Sequence, residues 1–362
     1  MSELFEHIER LRQAEGKVAL ATLVNTRGTT PRKEGAQMLV GAGGRILGSV
    51  TIGGCVDAQV IEESAEVLGQ NLPRLLELNL GDEEAWEIGL TCGGTIEVFV
   101  EPVTLDRPGD RTLLFYERAR AHAATGGRAA IVTRLEAPDH GAKLLVLDSG
   151  VLEGSLGEPF LDRRFAAEAL EALGSGGSRT LFLEGVRAFM EVLTPPAILL
   201  IVGGGHVAMP LVILGRTLGF RTVVVDGRPR FATRERFPDV DELRIGIPSD
   251  LVREIPLIPG TALVLVAHDY KYDLPVLRHA LTTEVGYIGL LGSSRRGAAI
   301  LNLLREDGLT EAQLARLRVP IGLDLGAQSA PEIALAIMAE ILATQRGATG
   351  LALSEKVGRA PR

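Results

Sequence analysis

The chain has 362 residues, 46% of them apolar and 23% charged, which is enough material for two or three domains with real cores. The balance of 38 basic against 46 acidic side chains leaves a net charge of −8, the opposite of the basic face that nucleic-acid binding requires. Two cysteines cannot make a disulfide framework, so a reducing cytoplasm is expected, and apolar runs such as 197–202 fall far short of the ~20 residues that span a bilayer.

The acidic, polar start Met1–Glu6 does not read as a signal peptide. A helix is expected over Glu3–Glu15, then strands over Lys17–Thr26 and Gln37–Val40, a helix over Ala58–Leu68 and a strand over Ile96–Val100. Residues 128–193 run the pattern again. Ala36–Val40, Gly48-Ser49 and a helix ending at Leu68 resemble Ala142–Val146, Gly154-Ser155 and a helix ending near Leu173. This reads as an α+β domain over 1–196 with a degenerate internal repeat, first copy about 1–103 and second about 104–196. If so, the chemistry belongs to the first copy, because the second has neither cysteine.

Thr194-Pro195-Pro196 marks a seam, since prolines neither join a central strand nor continue a helix. Beyond it, Ala197–Val202 reads as a strand buried on both faces of a parallel sheet. Further strands are expected at Arg221–Asp226, Ala262–Ala267 and Tyr287–Leu291, with helices at Leu274–Leu281, Arg296–Arg305 and Ala330–Gln345. Alternation of this kind makes 197–362 an α/β, doubly wound, Rossmann-like domain with a parallel sheet.

Glycine is the compositional outlier, with 43 in the chain. Gly53-Gly54-Cys55 opens a helix, and Thr91-Cys92-Gly93-Gly94 precedes a strand. Each cysteine reads in two ways. It is a small buried hydrophobe, the usual fate of a free thiol, or a thiolate exposed by glycines that let a ligand reach main-chain N–H groups. A thiolate at Cys55 can ligate a soft metal. The segment Asn25–Gly35 holds Arg27, Arg32 and Lys33, and reads either as a solvated basic turn or as an anion-binding loop. Gly203-Gly204-Gly205-His206-Val207-Ala208 fits G-x-G-x-x-G/A, and Asp226 ends the next strand where a ribose-binding acid is expected, favouring NAD over NADP. His206 either faces a ligand or caps the helix. His268-Asp269 and Gly292–Arg296 follow later strands at the same edge, with helix capping as their plain alternative.

Taken together, Arg27–Arg32, Gly53–Val56, Thr91–Gly94, Gly203–Ala208, Ile321–Gly326 and Pro331-Glu332-Ile333 resemble the XdhC/CoxI family of accessory proteins over most of 17–345. That resemblance implies a non-catalytic chaperone for molybdenum cofactor, as molybdopterin or its dinucleotide form. Such a protein holds the cofactor while a cysteine desulfurase supplies a sulfido ligand, then delivers it to a molybdenum hydroxylase apoenzyme such as xanthine dehydrogenase. It also implies a homo-oligomer. In this reading Arg27 and Arg32 meet the cofactor phosphate, Cys55 or Cys92 meets molybdenum, and Gly53, Gly54, Gly93 and Gly94 admit the pterin. Gly203, Gly205, His206 and Asp226 offer a second, nucleotide-shaped site. A different class, an NAD(P)-dependent oxidoreductase, rests on that second site alone. A scaffold with no cofactor would leave both glycine-framed cysteines unexplained.

Overall fold

The computed structural model describes residues 8, 11, 15–28, 30, 32–80, 94–105, 110–175, 177–267 and 269–356, and the chain divides into two compact units, 1–195 and 196–362. Most of the expected helix Glu3–Glu15, together with Cys92, Gly93 and His268, lies outside the described residues.

The first unit holds two five-stranded antiparallel sheets. One contains β1 (Lys17–Gly28), β2 (Gln37–Gly41), β3 (Ile46–Gly48), β4 (Arg74–Asn79) and β5 (Gly94–Thr104), in the order β3-β2-β1-β5-β4, with helix α1 (Cys55–Gln70) between β3 and β4. After α2 (Arg111–Ala124) comes the other, with β6 (Ala129–Arg134), β7 (Lys143–Leu147), β8 (Leu152–Gly154), β9 (Arg179–Leu183) and β10 (Val186–Leu193). Its order is β8-β7-β6-β10-β9, with α3 (Pro159–Ser175) between β8 and β9. The connectivity of the two sheets is the same.

Each sheet is covered on both faces, which is why β1 and β6 read as nearly unbroken apolar runs. Ala19, Ala21 and Leu23 of β1 pack under Val60 and Val67 of α1. Val18 and Leu20 point the other way, into a core shared with α2 and with Ile131 and Leu145 of the second sheet. Ala130 and Val132 of β6 pack under Leu161 and Phe165 of α3. At the join, Val24 and Phe99 meet Leu135 and Phe189. Each fully buried side chain of this size contributes about 1.5–3 kcal/mol.

The second unit is a six-stranded parallel sheet built from β11 (Ile198–Val202), β12 (Arg221–Asp226), β13 (Glu242–Ile245), β14 (Thr261–Leu265), β15 (Tyr287–Leu290) and β16 (Leu317–Arg318). Its order is β13-β12-β11-β14-β15-β16. The helices are α4 (Ala208–Thr217), α5 (Pro248–Arg253), α6 (Tyr270–Ala280), α7 (Ser294–Glu306), α8 (Glu311–Leu314), α9 (Ala330–Gln345) and α10 (Leu353–Lys356). β11 alternates between two cores, Leu200 and Val202 on one face, Leu199 and Ile201 on the other. The strand order reverses beside β11, so the crevice outside the carboxyl ends of β11 and β14 is where such a sheet receives ligands.

Three helix starts differ from expectation: α1 begins at Cys55 instead of Ala58, with no side-chain cap hydrogen bond at Gly54, and the other two differ through capping. Helix α6 begins at Tyr270 instead of Leu274, because the Asp269 side chain accepts from Lys271 N at 2.9 Å. Helix α7 begins at Ser294, because the Ser293 hydroxyl accepts from Arg296 N. Among the described residues, no helix is long and apolar enough to cross a membrane.

Candidate functional site

In the first unit the residues around Cys55 are organised by a carboxylate that no sequence motif marks. Asp57, in the first turn of α1, is buried. It accepts from Thr51 N at 3.2 Å, Thr51 Oγ1 at 2.9 Å, Gly53 N at 3.0 Å and the Ser49 hydroxyl. One side chain thus fastens the whole 49–53 loop to the start of the helix. Gly54 sits at φ 105°, a conformation that L side chains rarely adopt, and among the described residues nothing stands within 4 Å of a Cβ placed there. The glycine is therefore required by its conformation, and among the described residues no side chain crowds it. Among the described residues no side chain caps α1, and Cys55 is its first residue. Ile52, at 78% exposure, stands at the tip of the same loop.

Arg32 comes from the β1–β2 connection and donates from Nη1 to the Ser49 carbonyl at 2.8 Å. This brings an exposed guanidinium beside the loop that leads to Gly53, Gly54 and Cys55. Arg27 is exposed at the end of β1, where the next residue, Gly28, pairs with Gly94 of β5. Nearby, Glu97 accepts from Asn25 Nδ2 at 2.6 Å and pairs with Arg187. Burial pushes its carboxyl up, but these hydrogen bonds and the charges of Arg187 and Arg27 outweigh that and hold it below the usual range.

The second copy repeats the clamp without the chemistry. Ser155 Oγ donates to Asp162 at 2.8 Å, and Leu156 N does so at 2.7 Å. The loop between carries Glu158, Pro159 and Phe160 where the first has its glycines and cysteine. The strand connections diverge as well. Leu23 and Arg134 make matching backbone bonds to Ala36 and Ala142. Between the turn residues that follow, the first copy spans 25–34 with three cations, and the second spans only 136–140.

In the second unit Gly203 has φ 109°, and a Cβ there would lie 2.6 Å from the Ala267 nitrogen. The tight turn therefore tolerates only glycine. Gly205 is half-buried, His206 is exposed, and α4 has no side-chain cap, so His206 does not cap the helix. Asp226 is not the open acceptor that its spacing suggests. Its Oδ2 accepts from Gly204 N at 2.6 Å and Arg228 Nη2 at 2.8 Å; its Oδ1 accepts from Arg228 N at 2.8 Å and Nε at 2.9 Å. Burial pushes this carboxyl up, but those bonds and the Arg228 charge hold it below the ordinary value. A second buried carboxylate, Asp273, pairs with Arg296 Nη2 at 2.6 Å, and Arg296 lies 4.5 Å over the Tyr270 ring. Burial raises Asp273 to about 6, and among the described residues its Oδ1 has no partner.

Arg32, Gly53, Gly54 and the Cys55 backbone are thus together in one unit. Gly203, Gly205, His206 and Asp226 are together in the other. Sequence reasoning misses Arg228, although the run Arg228, Arg230, Arg234, Arg236 is a visible basic signal in an acidic chain. Among the described residues, no three His, Cys, Asp or Glu side chains converge as metal ligands.

The parallel sheet, its glycine turn and the following helix define the second unit as a Rossmann domain, and residues 199–341 match the model of the XdhC Rossmann domain. Residues 11–79 match the model of the XdhC and CoxI family, and the chain belongs to that family. It is 27% identical over 349 residues to a Bacillus subtilis protein described as a probable xanthine dehydrogenase subunit, covering 96% of this chain and 98% of that one. It is 28% identical over 335 residues to the molybdenum cofactor insertion chaperone PaoD of Escherichia coli, covering 92% and 85%. A crystal structure of a protein described as a xanthine dehydrogenase, from Bacillus halodurans, is 28% identical. The match covers 95% of this chain and 96% of that one, with a TM-score of 0.76.

Proposed function

We propose that this protein is a non-catalytic accessory factor that binds molybdenum cofactor, protects it while a cysteine desulfurase supplies the sulfido ligand, and hands it to a molybdenum hydroxylase apoenzyme. The observation that carries this reading is the contrast between the two halves of the first unit. Both halves have one connectivity and one Ser–Asp clamp, yet only the first adds Arg27, Arg32 and Lys33 and an uncapped Gly-Gly-Cys helix start. That asymmetry fits a duplicated module in which the second copy, about 104–196, is scaffold. The names of the relatives support the same role.

The donor set fits the cofactor. Free N–H groups and a positive helix end attract a phosphate or oxo group. Arg32 offers a planar fork to phosphate. A thiol on the first residue of a helix is favoured as thiolate, the form that ligates a soft metal. Molybdenum cofactor would supply the redox metal, held by the pterin dithiolene, to the hydroxylase; the residues here would bind, orient and shield it. A homodimer and a cytoplasmic location belong to the same proposal.

The test is to purify the protein from cells that make the cofactor and measure molybdenum and oxidised pterin fluorescence per chain. Near-stoichiometric molybdenum and pterin, lost in Cys55→Ala, is expected. A wild-type protein free of both under these conditions would overturn the reading.

A further inference from the structure

We infer that the carboxyl end of β12 is a phosphate-reading ledge, in which Arg228 meets the ligand and Asp226 positions Arg228, and that its ligand is a nucleotide carrying a phosphomonoester on the 2′ oxygen of the ribose, not a free ribose diol. In dinucleotide-binding sheets the acid at this place receives the ribose hydroxyls, or an arginine nearby accommodates a 2′-phosphate. An ionised carboxylate has about four lone-pair directions. The four donors on Asp226 use them, and the residue is 3% exposed. A ribose hydroxyl reaching it would find no acceptor.

Arg228 is built the other way. Its Nε and Nη2 are spent on Asp226, which leaves Nη1 without a partner among the described residues, on a side chain 42% exposed. The guanidinium also lies 3.9 Å over the Phe231 ring. Held by a carboxylate and an aromatic face, it has little rotamer freedom left to lose on binding. The segment around it is cationic in a chain of net −8. Arg234 and Arg236 donate to the Val240 and Phe231 carbonyls and so shape the loop, and Arg230 is exposed beside Arg228. A Cβ on Gly204 would lie 2.8 Å from the Phe231 carbonyl oxygen, so this segment lies directly against the glycine turn. The cationic ledge and the turn thus form one continuous surface for a phosphorylated ligand.

The inference does not depend on the N-terminal unit, and its test has its own readout. The full-length protein is titrated calorimetrically with NADP⁺ and NAD⁺, and with 2′-AMP and 5′-AMP as fragment probes. NADP⁺ should bind at least tenfold tighter than NAD⁺, and 2′-AMP tighter than 5′-AMP. Arg228→Gln should erase both preferences with an unchanged circular dichroism spectrum and melting curve. Asp226→Asn should shrink the NADP⁺/NAD⁺ ratio, which a purely structural role would leave alone. If Arg228→Gln misfolds, Arg228→Lys, which keeps the charge and loses the fork, should lower the ratio instead. Equal affinity for the two dinucleotides, tighter NAD⁺, no binding of either, or a preference that survives Arg228→Gln would overturn it. Molybdenum content of the wild type is a separate measurement, so failure here is distinguishable from failure of the proposed function.

Discussion

Gln37 and Lys143 hold corresponding places in the two N-terminal sheets, each opposite a buried threonine, Thr22 or Thr133, yet only Lys143 is charged. Each reaches a glutamate of the other sheet. Lys143 Nζ donates to Glu101 Oε1 at 2.8 Å, and Gln37 Nε2 lies 3.3 Å from Glu191 and donates to Tyr116 Oη at 2.8 Å. One buried carboxylate therefore has a cation beside it, and the other has an amide and a phenol.

Lys143→Met should cost about 3–5 kcal/mol, because it strands the buried Glu101 charge without its partner. Gln37→Met should cost less, about 1–3 kcal/mol, since it takes one amide donor from Tyr116 and Glu191 but removes no charge. Urea unfolding of the two variants at pH 7 measures the difference. Equal losses would show that the charge of Lys143 is not what matters.

Glu191 gives the first unit a pH dependence. Burial pushes its carboxyl up to about 6, although the Tyr116 hydroxyl and the Lys143 charge pull the other way. A folded value above the unfolded one means the native state holds the proton longer. Stability therefore falls as pH rises from about 4.5 through 6, by roughly 2 kcal/mol in all. Glu191→Gln should flatten that slope and be more stable than the wild type at pH 7.5. An unchanged slope in urea midpoints between pH 4.5 and 7.5 would rule this out.

The two serine–aspartate clamps separate architecture from function. Asp57→Ala and Asp162→Ala each release buried or half-buried donors and should each destabilise by about 1–3 kcal/mol. Only Asp57→Ala should lower cofactor content, because only its loop leads to Gly53, Gly54 and Cys55. Parallel melting curves and molybdenum assays on both variants check this, and equal cofactor loss would count against a specialised first copy.

Arg32→Ala should weaken binding of the phosphate-bearing pterin by about 1.5–3 kcal/mol, the range for a hydrogen bond to a charged group. The fold should be untouched, since among the described residues the exposed guanidinium anchors to one carbonyl. Affinity measured at low and moderate salt should converge between variant and wild type as screening rises. A variant that binds as tightly as the wild type at low salt would remove Arg32 from the site.

The sequence by itself determined what local pattern determines. β11 and the Val223–Val225 centre of β12 are legible because strands buried on both faces are written as apolar runs, and the turn at 203–208 because its glycines and following helix are contiguous. The long helix α9 is legible over Ala330–Gln345 from its amphipathic pattern and from Pro331 in its first turn, and the structure adds a capping box between Ser329 and Glu332. The short edge strands β3, β8 and β13 were not, since their half-exposed residues show no apolar run to read. The likeness of residues 36–40 and 142–146 is visible in the chain; that each leads a glutamine or lysine to a carboxylate of the opposite sheet is a property of the packed pair. Arg32 meeting Ser49, and the glycine loop fastened by Asp57, depend on how strands and helix fold back on one another. Asp226 makes the point most sharply. Its spacing marked it as a ligand acid, but burial beside Gly204 and Arg228 filled every acceptor it has, and only the folded environment can decide whether a carboxylate is still open to a ligand.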